Sequence, residues 1–402
     1  MKQFLITAVL ASSLFGMAQA QNAADTIMDV QKAVSAMEEN YCDSAEIFMS
    51  RALAQRQTYR RFLFMGEILM KKQEYSKAVS ALRMAEKNFQ NCALLPLAEC
   101  YAMIGNTDSA FYFLEKYSQK NDKLPLQRIS DDTLLFNLKH LEKWTTWAKK
   151  TTYSQLENDI FSAEHYVSAQ RTGQALEILD KIIKKYPSCH KAYYLRAKAY
   201  VSDQNYKSAL QDILRAVKLR PKQTEYLENQ ANIYFLSKKY ALAAQTYVSV
   251  LKIDEFAIKN YYNAAKNFYL SSNYVAAIKY ASMATQLYPN DEDCILLYSE
   301  VLLATGDAIS ALKVINQAGI EKKSPAQFYR LRGLCYLKTE TYNFAISDFC
   351  NAIDLNNSLT DIYLHRGMAY YLMGEKDLAH KDWQTALKFK HFQANNYLQK
   401  YR

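Results

Sequence analysis

The residues best suited to chemistry are six histidines, His140, His165, His190, His365, His380 and His391, and seven cysteines, Cys42, Cys92, Cys100, Cys189, Cys294, Cys335 and Cys350. A metallopeptidase needs H-E-x-x-H, so that two imidazoles one helical turn apart reach one zinc ion while the glutamate activates water. No such run is present. A zinc cluster or a redox dithiol needs C-x-x-C, which is also absent, and an odd cysteine count gives no disulfide framework. Cys335 and Cys350 read instead as small apolar core residues. There is no G-x-S-x-G nucleophile elbow, no G-x-x-x-x-G-K-[ST] phosphate cradle and no G-x-G-x-x-G dinucleotide turn. The acidic runs Asp131-Asp132 and Asp291-Glu292-Asp293 lack calcium-loop spacing and stand where helices are expected to start, so they read as caps on the helix dipole. The sequence therefore assigns no catalytic residue, no metal and no cofactor.

What remains are side chains that hold other molecules, and the elements that present them are helices. Only 9 Gly and 6 Pro occur in 402 residues, too few for a turn-rich β fold, while a 50% hydrophobic composition is ample for a core. The pattern repeats every 34 residues. In the segment beginning at His190, a small residue at position 8 recurs as Ala163, Ala197, Ala231, Ala265, Ser299, Gly333 and Gly367, and position 20 is Ala175, Ala209, Ala243, Ala277, Ala311, Ala345 and Ala379. Bulky residues occupy position 11 (Tyr166, Tyr200, Tyr234, Phe268, Leu302, Tyr336, Tyr370) and most of position 24 (Leu179, Ile213, Tyr247, Ala281, Ile315, Phe349, Trp383). Small residues let two helices approach closely, and large ones fill the space around that contact. Looser units upstream are marked by Ala33, Ala45 and Ala52, by Gly66, Ala78 and Leu82, and by Ala98, Ala110 and Leu114.

This spacing, with Pro187, Pro221 and Pro289 at position 32, resembles the tetratricopeptide repeat (TPR), in which each unit is a helix A, a turn and a helix B. The resemblance implies an all-α, right-handed α-solenoid of exported bacterial type, built as two arrays joined by an irregular helical junction. Residues 24–118 are read as a degenerate array of about three repeats, 119–155 as the junction, 156–390 as seven repeats and 391–402 as a capping helix. Within the junction, Ser130 to Asp132 are expected to start a helix.

Residues 1–20, MKQFLITAVLASSLFGMAQA, carry an early cation, a short apolar run and Ala18-Gln19-Ala20, the pattern of a secretory signal cleaved after Ala20. The expected product is periplasmic or secreted, with no membrane span.

The resemblance also implies that A-helix positions 2, 5, 6 and 9 face a groove that takes a protein or peptide partner. The expected groove residues are Lys191, Tyr194 and Lys198, then Glu228, Asn229 and Asn232, then Tyr262, Asn263 and Lys266. A polar ladder of this kind pairs with the main chain of an extended segment. Position 5 runs Ile160, Tyr194, Glu228, Tyr262, Leu296, Arg330, Leu364; none is Lys, so the clamp for cytosolic chaperone tails is disfavoured. Eleven basic residues between Lys181 and Lys222 are offset by only Asp203 and Asp212. Nucleic acid is disfavoured as their partner, because several stand at helix C-termini where cations complement the dipole. The alternative is an anionic envelope glycan or a lipid headgroup bound by this patch and nearby tyrosines. The leading expectation is a non-enzymatic scaffold for envelope assembly or secretion.

Overall fold

A computed structural model describes residues 27–317, 325–356 and 359–401, and among them every regular element is a helix. The upstream helices are α1 (27–38), α2 (Cys42–Gln55), α3 (Tyr59–Lys71), α4 (Tyr75–Asn88), α5 (Leu94–Ile104) and α6 (Thr107–Ser118). The next stretch contains α7 (Leu126–Ser130), a 3-10 turn (Phe136–Leu138) and α8 (Glu142–Lys150). Seven pairs follow: α9 (Gln155–Ser168) and α10 (Thr172–Lys185), α11 (His190–Ser202) and α12 (Tyr206–Leu219), α13 (Thr224–Leu236) and α14 (Tyr240–Ile253), α15 (Asn260–Leu270) and α16 (Tyr274–Leu287), α17 (Glu292–Ala304) and α18 (Ala308–Gln317), α19 (Ala326–Lys338) and α20 (Tyr342–Leu355), α21 (Asp361–Leu372) and α22 (Lys376–Lys388). A last helix, α23 (Ala394–Lys400), packs on α22. The expected signal, residues 1–20, lies outside the described residues.

The helices fall into two compact units: one of residues up to Ser237 with Val250–Ile258, the other of Lys238–Ser249 with Lys259 onward. In each, a helix packs chiefly on the helices next to it in sequence. All seven position-20 alanines are fully buried, as are Ala163, Ala197, Ala231, Ala265 and Ser299 at position 8. Where position 8 is glycine, the residue sixteen further on fills the missing methyl: an added Cβ would lie 2.7 Å from the Phe349 ring at Gly333 and 2.5 Å from Trp383 Nε1 at Gly367.

The turn from helix A to helix B uses one left-handed residue per repeat. It is Gln170, Gln204, Lys238, Ser272, Gly306, Glu340 and Gly374, all at position 15 with φ from 56° to 90°. Five of the seven are not glycine, so glycine spacing alone does not find this turn; Gly173 instead sits in the first turn of α10. A second periodic device is an ion pair between positions 7 and 23. Arg196–Asp212, Arg332–Asp348 and Arg366–Asp382 each make two hydrogen bonds of 2.6–2.8 Å, with the carboxylate buried.

In the first unit, α7 follows Pro125 as its N-cap and ends at Ser130 with Asp131 as its C-cap, so Ser130 to Asp132 close a helix where the sequence implies a start. Asp132 instead accepts from the Leu134 amide at 2.8 Å and shapes the turn beyond. Asp291 does cap α17, accepting from the Cys294 amide at 2.8 Å. Trp144 and Trp147 of α8 are buried, with ring centroids 5.0 Å apart. The seven cysteines are unpaired.

Candidate functional site

The A helices of neighbouring repeats are cross-linked along the face that carries positions 2, 5 and 9. In the first unit, Lys191 Nζ at position 2 of α11 lies 2.8 Å from Glu164 at position 9 of α9. Tyr194 at position 5 of α11 donates its hydroxyl to Glu225 at position 2 of α13, at 2.7 Å, and accepts from Asn229 Nδ2 at 3.4 Å. Tyr194 is 5% exposed and stacks on Tyr226 at 4.7 Å, whose hydroxyl meets His190 Nδ1 at 2.7 Å. Burial, with Glu225 beside it, holds the Tyr194 phenol strongly above its ordinary range. Tyr194 is therefore a strut of this face, and its hydroxyl is already engaged within the chain.

Lys198 and Asn232, at position 9 of α11 and α13, are the exposed members of the set; the Lys198 ammonium sits 5.5 Å from the Tyr194 ring centroid. Glu228 and Asn229 are half-buried. Tyr262, Asn263 and Lys266 lie in the second unit on α15, all half-buried, with Lys266 Nζ 5.7 Å from the Tyr262 ring. The same unit repeats the position-5 to position-2 link: Arg330 Nε donates to Asp361 at 2.7 Å. These links follow from the 34-residue register, but only side-chain placement shows which polar groups are consumed by them. The His190–Tyr226 contact was not legible in the sequence, because position 1 carries no family signature there.

The basic stretch is less available than its sequence implies. Lys181 pairs with Glu177, Lys191 with Glu164, and Arg196 with both Asp180 and Asp212. A cleft of about 1000 Å³ in the first unit is lined by α6, α8 and the start of α9, including Tyr112, Lys123, Trp147 and Glu157. Its lining has neither histidine nor cysteine, so it offers no imidazole base or thiol nucleophile.

Glu99, at position 9 of α5, is half-buried, and burial together with the Asp132 carboxylate pushes its pKa up to about 8. A carboxyl raised above its unfolded value favours the folded state below the unfolded pKa, and that contribution is lost as pH climbs through about 8. Glu99→Gln is expected to remove this dependence and to stabilise the chain at pH 9 by at least about 1 kcal/mol, one pKa unit's worth. Thermal melts of both proteins between pH 5 and 9 check it; parallel curves contradict it.

No helix among the described residues is long and apolar enough to cross a membrane. A tetratricopeptide repeat family model matches residues 162–224 and 194–258. Human serine/threonine-protein phosphatase 5 is 33% identical over 84 residues, 21% of this chain and 17% of that protein. Protein unc-45 homolog B of Xenopus laevis is 40% identical over 74 residues, 18% of this chain and 8% of that protein. The chain thus spans less than a fifth of the length of these relatives. The solved C-terminal part of a TPR repeat-containing protein from Cytophaga hutchinsonii superposes with a TM-score of 0.50 at 16% identity, covering 60% of this chain and 99% of that one. At that identity the likeness is one of fold. The TPR fold is a scaffold for protein–protein interaction, and it is generally non-catalytic. With the 34-residue register, the helix pairs and the matched segment in agreement, residues 162–258 are tetratricopeptide repeats, and the helix pairs that follow keep the same register.

Proposed function

We propose that the chain is a non-enzymatic periplasmic or secreted scaffold that holds an extended protein segment along its A-helix face, in envelope assembly or secretion. The observation that carries this reading is the division of labour on that face. Lys191, Tyr194, Glu225 and Asn229 brace one repeat against the next, while Lys198 and Asn232 stand exposed between the braces. Braced groups lose little entropy on binding, and an exposed amine and amide meet a partner's carboxylates and peptide groups. The periplasmic or secreted location rests on residues 1–20 alone.

The test is capture of envelope proteins by the wild-type chain and by Lys198→Glu/Asn232→Ala. The variant is expected to retain its melting temperature and lose capture about tenfold, roughly one charge-assisted contact. Unchanged capture would remove the site.

A further inference from the structure

In the second unit, successive B helices carry a large apolar residue on the surface of their first turn. It is Leu242 of α14 at 44% exposure, Val275 of α16 at 84%, Ile309 of α18 at 76%, Phe344 of α20 at 63% and Leu378 of α22 at 41%, always at position 18 or 19. The first unit does not do this: the residues there include Asp43, Ser76, Lys77, Asp108, Gly173, Gln174, Lys207 and Ser208. One exposed apolar side chain is ordinary, but five at the same turn of successive B helices form a stripe.

Charge runs along both sides of it. Before α18, α20 and α22, exposed Asp307, Glu340 and Glu375, at positions 15 and 16, precede the stripe, whereas Lys238 and Lys239 stand there before α14; exposed Lys279, Lys313 and Lys381, all at position 22, follow one turn later. We propose that this stripe is the interface of a homodimer whose two-fold axis runs along it. Rotation about that axis lays apolar residue on apolar residue and brings the acidic flank of each copy opposite the lysine flank of the other, the self-complementarity that an isologous contact needs. An axis across the stripe would instead set acid against acid. A membrane surface is a poorer match, since anionic headgroups would meet the acidic flank as well as the basic one.

Sedimentation velocity on the purified chain over a hundredfold concentration range tests this independently of partner capture. The wild type is expected to be a dimer that dissociates on dilution, and Ile309→Asp/Phe344→Asp to be monomeric throughout with an unchanged melting temperature. Lys279→Glu/Lys313→Glu/Lys381→Glu is expected to weaken the dimer about tenfold, and adding Asp307→Lys/Glu340→Lys/Glu375→Lys to restore it. A wild type that stays monomeric would overturn the proposal, whether or not it floats with anionic phospholipid vesicles. So would a dimer indifferent to Ile309→Asp/Phe344→Asp.

Discussion

Arg61→Met is expected to destabilise the first compact unit by about 3–5 kcal/mol, the cost of removing one partner from a buried ion pair. The Arg61 side chain is 2% exposed. It donates from Nε and Nη2 to the two Glu255 oxygens at 3.0 and 2.7 Å, and from Nη1 to the Ala52 and Arg56 carbonyls at 2.9 and 3.1 Å. Beside it, Arg60 Nη2 lies 2.7 Å from both Asp254 oxygens, its guanidinium is 5.0 Å from the Phe256 ring, and Phe64 packs on Phe256 at 5.3 Å. This clasp joins residues 194 apart, whereas elsewhere a helix meets mainly its sequence neighbours. Methionine fills much of the volume but leaves the Glu255 carboxylate and two carbonyls without their donor. Glu255→Gln leaves the buried Arg61 cation without its counter-charge and turns an amide N–H₂ toward one of its donors, so it is expected to cost a similar amount, about 3–5 kcal/mol. Repeat arrays need not unfold in one step, so hydrogen exchange in α3 and residues 254–258 is the measurement that checks it. Protection unchanged there in Arg61→Met would show that the clasp contributes nothing.

Gly367→Ala is expected to cost about 1–3 kcal/mol, a large effect for one methyl group. The new Cβ would sit 2.5 Å from Trp383 Nε1, 2.8 Å from its Cδ1 and 3.1 Å from the Ala379 carbonyl oxygen. Trp383 is fully buried and donates Nε1 to the Leu364 carbonyl at 3.2 Å, so its ring moves only by weakening that bond. Tyr371, Tyr397 and Tyr401 pack around it. The repeat at His190 solves the same contact with Ala197 and the smaller Ile213. Trp383→Ile in the Gly367→Ala background should therefore recover part of the loss, and a double-mutant cycle from denaturant melts reads the coupling. Additive costs would mean that the two residues do not share one space.

The repeat architecture was legible because close helix packing writes itself into sequence: Ala175 through Ala379 recur at one position and are all buried. The Arg196–Asp212 type of pair was also present as a sixteen-residue spacing, but with three occurrences in seven repeats it does not stand out from surface charge. The Arg61–Glu255 clasp left no trace, since nothing in a 34-residue period couples positions 194 apart. Of the candidate face, the register supplies the positions proposed to line it. It did not find that Tyr194 is buried with its hydroxyl spent on Glu225, because position 5 can be strut or contact according to what the next repeat offers at position 2. Arg330 and Asp361 repeat that arrangement with different chemistry.

The most direct measurement is a photo-crosslinking scan in the cell envelope, with the reactive group placed at Lys198 or Asn232 on A helices and at Lys207 or Leu214 on the exposed surface of α12. If the A-helix face holds the partner, positions 198 and 232 yield one defined crosslinked protein and positions 207 and 214 do not. The same product from 207 and 214, with none from 198 and 232, would contradict it.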